Sequence, residues 1–424
     1  MKTDARQLVL QLLGNEHGFP TRAFSDSANQ AELSDRDRSL AREILAGTIR
    51  MQRALDAAFT PFCKKKKMDP MVRWTLRMGV YQLLYLDRIP AHAAVDATIG
   101  AASPIIRRAK GFANAILRNV ERGSSSDPTG FLEKAFNRAA KTPSDRIAIE
   151  YSFPTFLVKR WIQEVGENAS IQRLKMLNAT PPMSLRVNTL RATKQEVHAE
   201  LLEQEVSAEI HGNALLLQSP TNPQSLPGFS EGKWAVQDLA SQETVLLSKP
   251  QAGERILDLC AAPGGKSFAS FEQAKGEAEV HACDVDSKRL ESISTDAERL
   301  GHNIQTHLID LGGGNIPNGE WDLILLDVPC SNTGVLGKRP EARWRFDKES
   351  LVQSVATQKK IARTAAQLCT NGKTRILWST CSLEPEENHE MAKFIAKEAK
   401  LELSEERLLE PTSFQAGGYA ALLK

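Results

Sequence analysis

RILDLCAAPGGKS, residues 255–267, decides the architecture. Residues 255–260 read as a strand with a buried pattern. The small residues and two glycines that follow mark a tight loop, and a helical run covers residues 266–275. Outward from this unit the same alternation repeats. Further strands are predicted at residues 279–283, 305–309, 322–326 and 375–379, with helical runs at 287–300 and 349–368. Strands alternating with helices imply a mostly parallel sheet with helices on both faces. In such sheets ligands bind outside the carboxyl ends of the strands, so the residues just after each strand matter most.

The loop Cys260-Ala261-Ala262-Pro263-Gly264-Gly265-Lys266-Ser267 lets a ligand approach the backbone closely, and the helix behind it offers free N–H groups to an anion. A triphosphate-binding loop would need glycine where Cys260 stands, and no G-x-G-x-x-G occurs here. Asp284 ends the second strand region, where a ribose-binding carboxylate belongs in this fold; Asp310 and Asp327 follow the third and fourth strands. Three such aspartates suit a nucleoside with an anionic tail, and S-adenosylmethionine fits that description. Asp327-Val328-Pro329-Cys330 and Ser379-Thr380-Cys381-Ser382 place two thiols at strand ends on the same edge. Cytosine carbon 5 is too weak a nucleophile to take a methyl group unaided. A thiolate adding to carbon 6 makes carbon 5 electron-rich, which is covalent catalysis by an accessible thiol.

The rest of the chain reads differently. Residues 1–122 are helical throughout, with a stop at Gly14, a start at Ser34 and an Asp69-Pro70 cap. They hold 20 Lys/Arg against 12 Asp/Glu, whereas the whole chain has a net charge of only +2. A basic module on an otherwise acidic chain points to an acidic polymer as partner. Lys64–Lys67 is a candidate phosphate contact or a solvated loop. Residues 123–130, GSSSDPTG, read as a linker, and residues 145–235 as a small α+β segment. In that segment helices are expected at 156–165 and 190–205, and strands at 184–187 and 215–217. The six cysteines form no C-x-x-C pair and have no histidine at ligand spacing, so neither a metal site nor a disulfide framework is expected. No stretch reads as a membrane span or signal peptide, and the expected setting is the cytoplasm, with the protein a monomer.

LDLCAAPGGKS, LLDVPCSNTGVLGKRPEARWR and STCSLEPEEN resemble the RsmB/Sun (Fmu) family of RNA cytosine-5 methyltransferases. The resemblance runs over nearly the whole chain. GVYQLLYLDRIPAHAAVDATI and GFANAILRNV look like the NusB-like RNA-binding domain that precedes these enzymes. YSFPTFLVKRW, PPMSLRVNTL and LPGFSEGKWAVQDLASQ look like the family's intermediate segment. The resemblance implies an all-α NusB-like domain with its linker (1–140), a small α+β RNA-binding segment (145–235) and an α/β Rossmann-like methyltransferase domain (236–424). It makes Cys381 the nucleophile and Cys330 the thiol that assists release. Asp327 would hold the cytosine edge or the methyl end of the cofactor, Asp284 the ribose, Asp310 the adenine side, and residues 260–266 the methionine end. The RNA would be ribosomal, from the small subunit. Val328, Asn332, Trp378 and the tail FQAGGYAALLK depart from the family pattern, and none of these positions is expected to touch a catalytic role. Two rivals stay open: a transfer-RNA or DNA cytosine methyltransferase, and an inactive NusB-like RNA-binding factor.

Overall fold

The computed structural model describes residues 4–15, 19–64, 67–219, 222–310 and 314–424. They divide into two compact units, one of residues 1–178 with 339–344, the other of residues 179–338 with 345–424.

The first unit is helical. Its starts follow from local chemistry. The Ser34 hydroxyl accepts from the Asp37 N–H to open helix Asp35–Phe59, and Asp69 accepts from the Met71 and Val72 N–H groups to open Pro70–Tyr85. Leu10, Ile44, Leu45, Leu55, Leu76 and Leu117 are buried in the shared core. The stretch 123–130 is a bend rather than a linker. Helix Lys110–Ser124 runs past Gly123, and Asp127 with Pro128 at once caps helix Pro128–Ala139. Of the run Lys64–Lys67, residues 65 and 66 lie outside the described residues.

Residues 339–344 belong to this unit although the chain reaches them only after the fourth strand of the large sheet. Arg343 is fully buried and donates to Ser152 O (3.1 Å), Asn178 Oδ1 (2.8 Å) and Leu177 O (3.1 Å). Its guanidinium carbon lies 3.9 Å from the Phe153 ring centroid. Trp344 Nε1 donates to Ile49 O at 2.7 Å. Burial holds the Arg343 guanidinium well below its usual range.

The second unit carries two sheets. Strands β1 (Met183–Val187), β2 (Ala208–His211), β3 (Ala214–Leu217) and β4 (Trp234–Val236) form an antiparallel sheet in the order β2-β3-β1-β4. Helix Lys194–Glu203 packs on it through Val197 and Leu201; it is shorter than expected because a Thr193–Glu196 capping box fixes its start.

The large sheet contains β5 (Arg255–Asp258), β6 (Glu279–Asp284), β7 (Ile304–Leu308), β8 (Leu323–Asp327), β9 (Arg375–Thr380), β10 (Leu403–Leu409) and β11 (Gly418–Leu423), in the order β10-β11-β9-β8-β5-β6-β7. The five strands β9-β8-β5-β6-β7 are parallel, while β11 and β10 add antiparallel at one edge. Side chains alternate between faces as a strand requires. Leu257, Ile324 and Ile376 face Ile361 and Ile395, whereas Ile256, Leu323 and Leu377 face Leu247 and Phe271. Strand order reverses between β5 and β8, which opens a crevice at their carboxyl ends.

Candidate active site

The loop after β5 is held from beneath by Asp258. This carboxylate is fully buried, accepts from the Ser267 hydroxyl (2.7 Å) and the Cys260 N–H (3.3 Å), and is pushed up to about 7 by burial. Gly264 stands at φ +97°, and a Cβ there would lie 2.6 Å from the Phe268 ring. The position thus requires glycine, and the backbone ahead of helix Gly265–Gln273 stays bare. Arg186 of β1 grips Glu272 through two bonds (2.9 and 2.8 Å) and donates to Gly265 O (2.8 Å), so the small sheet braces this loop.

Asp284 ends β6, with one oxygen accepting from the Ala262 N–H (3.3 Å) and the other from the Asp286 N–H (3.0 Å). It is thereby tied to the loop it was expected to share a ligand with. Val285 beside it is half-exposed. Asp310, one residue beyond buried Ile309, is exposed on the rim of a hollow lined by Leu259, Ile309, Ile316, Ile361 and Thr364. Lys266 reaches the end of β8. Its Nζ lies 2.7 Å from Asp327 Oδ2, and the Ser379 hydroxyl donates to Asp327 Oδ1 at 3.1 Å.

The two thiols meet. Strands β8 and β9 are parallel neighbours, so the residues beyond their ends converge, and the Cys330 and Cys381 sulfurs are 3.1 Å apart. Both are partly exposed. Contact with Cys381 and then burial push the Cys330 thiol well above its usual range. Cys260, Cys283 and Cys369 are also held as thiols, by burial. Among the described residues no group of three His, Cys, Asp or Glu side chains could hold a metal ion, and no helix is long and apolar enough to cross a membrane.

Two of the departures from the family pattern lie in the surroundings of the thiols. Asn332 adopts φ +61°, donates from Nδ2 to Cys330 O (2.7 Å), and accepts the Cys381 thiol at Oδ1 (3.3 Å). Trp378 Nε1 donates to Glu387 O (3.0 Å). Glu387 and Asn388, within STCSLEPEEN, received no role from the sequence. Their burial could not be read there, since an acidic run before a helix looks solvated. Glu387 is fully buried and accepts from the Ser331 N–H (3.0 Å), the Ser331 and Ser354 hydroxyls, and Gln358 Nε2 (3.0 Å). Asn388 accepts from the Thr380 hydroxyl (2.6 Å) and donates to Ser382 O (3.0 Å).

Comparison with known proteins agrees with this architecture. The family model for 16S rRNA methyltransferase RsmB/F matches residues 245–422, that of the NusB family residues 3–122, and that of the RsmF/B-like ferredoxin-like domain residues 153–224. Ribosomal RNA small subunit methyltransferase B of Proteus mirabilis is 32% identical over 402 residues, 92% of this chain and 90% of that protein. The protein of the same name from Serratia proteamaculans is 34% identical over 389 residues, 89% of this chain and 86% of that one. In fold, the crystal structure of PH0851 matches with a TM-score of 0.76 at 24% identity, covering 100% of this chain and 98% of that one. The expected classes of fold are those observed: a NusB-type helical part, a small α+β sheet and a Rossmann-like methyltransferase sheet, the last with an antiparallel edge.

Proposed function

The chain belongs to the RsmB/F family of 16S rRNA methyltransferases, and from that premise we propose that it methylates carbon 5 of a cytosine in small-subunit ribosomal RNA, in the cytoplasm, with S-adenosylmethionine as methyl donor. The observation that carries the cytosine-5 reading is the contact of Cys330 and Cys381 at adjacent strand ends, beside the glycine loop.

The residues fit this cofactor. The bare backbone at Gly264 and the helix N-terminus behind it suit the methionine carboxylate. Asp284, fixed to Ala262 N–H, suits the ribose hydroxyls; half-exposed Val285 and the exposed Asp310 suit the adenine side. When bound, S-adenosylmethionine supplies an electrophilic methyl group.

The chain's own residues do the rest. The Cys381 thiolate forms a bond to carbon 6, and the pair of the C5=C6 bond moves onto carbon 5, the atom to be methylated. Asp327, held by Lys266 and Ser379, faces the cytosine edge or the methyl end of the cofactor. In the second half a base takes the carbon 5 proton, its bonding pair restores C5=C6, and the C6–S pair returns to the Cys381 sulfur. Cys330, held protonated next to that sulfur, gives it a proton and recovers one from water.

The basic residues among the first 122 hold RNA through its phosphates. Incubating the purified protein with unmodified small-subunit RNA and S-adenosylmethionine, then bisulfite sequencing, tests the reading. One protected cytosine is expected, and methyl transfer without a protected cytosine would refute the cytosine-5 assignment.

A further inference from the structure

Two chemically identical thiols in contact must be given different tasks by what lies behind them. We propose that Glu387 is a positioning residue that fixes the Cys330 loop through Ser331 and sets a negative charge behind Cys330, while Asn388 fixes the Cys381 loop with a neutral amide. The division of tasks rests on the reading of Cys381 as attacking group and Cys330 as proton donor.

The geometry on the Cys330 side is a closed clasp. Glu387 takes the Ser331 N–H and hydroxyl, one residue from Cys330, and the Ser354 hydroxyl from helix Lys348–Gln367. Gln358 of the same helix donates both to Glu387 (3.0 Å) and to Pro329 O (2.9 Å), so Cys330 is flanked by anchored neighbours on either side. Trp378 Nε1 holds the Glu387 carbonyl, which fixes the acid to β9. A buried carboxylate is costly unless its oxygens are satisfied, and here hydroxyl and amide donors satisfy it with their dipoles alone. Its charge is therefore left to act on its surroundings.

On the Cys381 side the clasping residue is a neutral amide, although the same loop also carries the buried acid Glu384. Asn388 ties Thr380 to Ser382 across the cysteine. The titratable groups that act on Cys330 are Cys381 and Glu387; helix Lys348–Gln367 presents neutral Ser354 and Gln358, and Asp327 at the end of β8 is paired with Lys266. Two sulfurs 3.1 Å apart share at most one negative charge. The acid behind Cys330 keeps the proton there, so that when one of the pair ionises, against the hold of the Asn332 amide on the Cys381 proton, the charge goes to Cys381.

The test uses the full-length protein without RNA, so it does not depend on which cysteine attacks. In a Cys381→Ala background the rate of Cys330 alkylation by iodoacetamide is followed against pH. Glu387→Gln is expected to move the profile to lower pH and raise the rate at pH 8 about tenfold, the effect of roughly one pK unit. Glu387→Asp, which keeps the charge, is expected to stay near the parent. In a Cys330→Ala background, Glu387→Gln is expected to change Cys381 alkylation less than about threefold. Ser354→Ala, a milder change that takes one donor from the carboxylate, is expected to slow Cys330 alkylation. Unchanged Cys330 profiles in Glu387→Gln and Ser354→Ala would overturn the proposal. A shifted Cys330 profile together with a Cys330-dependent RNA adduct in Cys381→Ser would leave the hold of Glu387 on Cys330 standing and overturn the division of tasks.

Discussion

The Cys381 sulfur lies 3.3 Å from Asn332 Oδ1, and the orientation of that amide is fixed because its Nδ2 donates to Cys330 O. An acceptor facing a thiol favours the protonated form. Asn332→Gly removes the acceptor and keeps the left-handed backbone that φ +61° demands. In a Cys330→Ala background this variant is expected to raise Cys381 alkylation at pH 7 by about threefold or more. An unchanged rate would mean that the amide has no hold on Cys381.

The two cysteines are expected to fail differently. Cys381→Ser should abolish both methylation and any covalent RNA adduct, because a serine hydroxyl does not add to the ring at neutral pH. Cys330→Ala should attack and then stall, giving a protein–RNA species that survives denaturing electrophoresis and vanishes in the double variant. An adduct in Cys381→Ser that depends on Cys330 would reverse the assignment.

Asp258 gives stability a pH dependence. Burial raises its folded-state value from 3.8 to about 7, so between these values the folded protein binds the proton and the unfolded chain does not. Its contribution is fully present near pH 4 and is lost as pH rises through 7, at about 1.4 kcal/mol per unit within that window. Asp258→Asn keeps an acceptor for the Cys260 N–H, turns an NH2 donor toward the Ser267 hydroxyl oxygen, and should remove this slope. Urea unfolding at a series of pH values from 4 to 8, parent against variant, measures the difference.

Arg343→Ala should destabilise the helical unit by about 3 kcal/mol or more, because buried acceptors at Ser152, Leu177 and Asn178 lose their donor. Denaturant unfolding followed by helical circular dichroism checks it. A change below about 1 kcal/mol, the level of an ordinary surface substitution, would contradict the packing described.

The sequence made some of this legible and hid the rest for physical reasons. The β5 loop and the aspartates after β6, β7 and β8 could be read because strand period and glycine chemistry are local. The juxtaposition of Cys330 and Cys381 followed from their places at strand ends. Strands β10 and β11 escaped. Three of the seven residues 403–409 are charged, as an exposed edge strand tolerates, and Ala420, Ala421, Leu422 and Leu423 are good helix formers that become a strand only by pairing with β9. The place of residues 339–344 was hidden, since nothing local tells a buried arginine from a solvated one. Glu387 and Asn388 carry no local signal of burial, and their partners Ser331, Ser354 and Thr380 are brought to them by the fold.

The placement of residues 339–344 in the helical unit also bears on biosynthesis. The ribosome delivers the first 178 residues early, yet Phe153, Asn178 and Ile49 receive Arg343 and Trp344 only after most of the chain has emerged. The first unit to be made is thus not the first to be finished. Until the late segment arrives, the carbonyls of Ser152 and Leu177 depend on water for partners, and a nascent chain arrested before residue 339 would carry an incomplete helical unit.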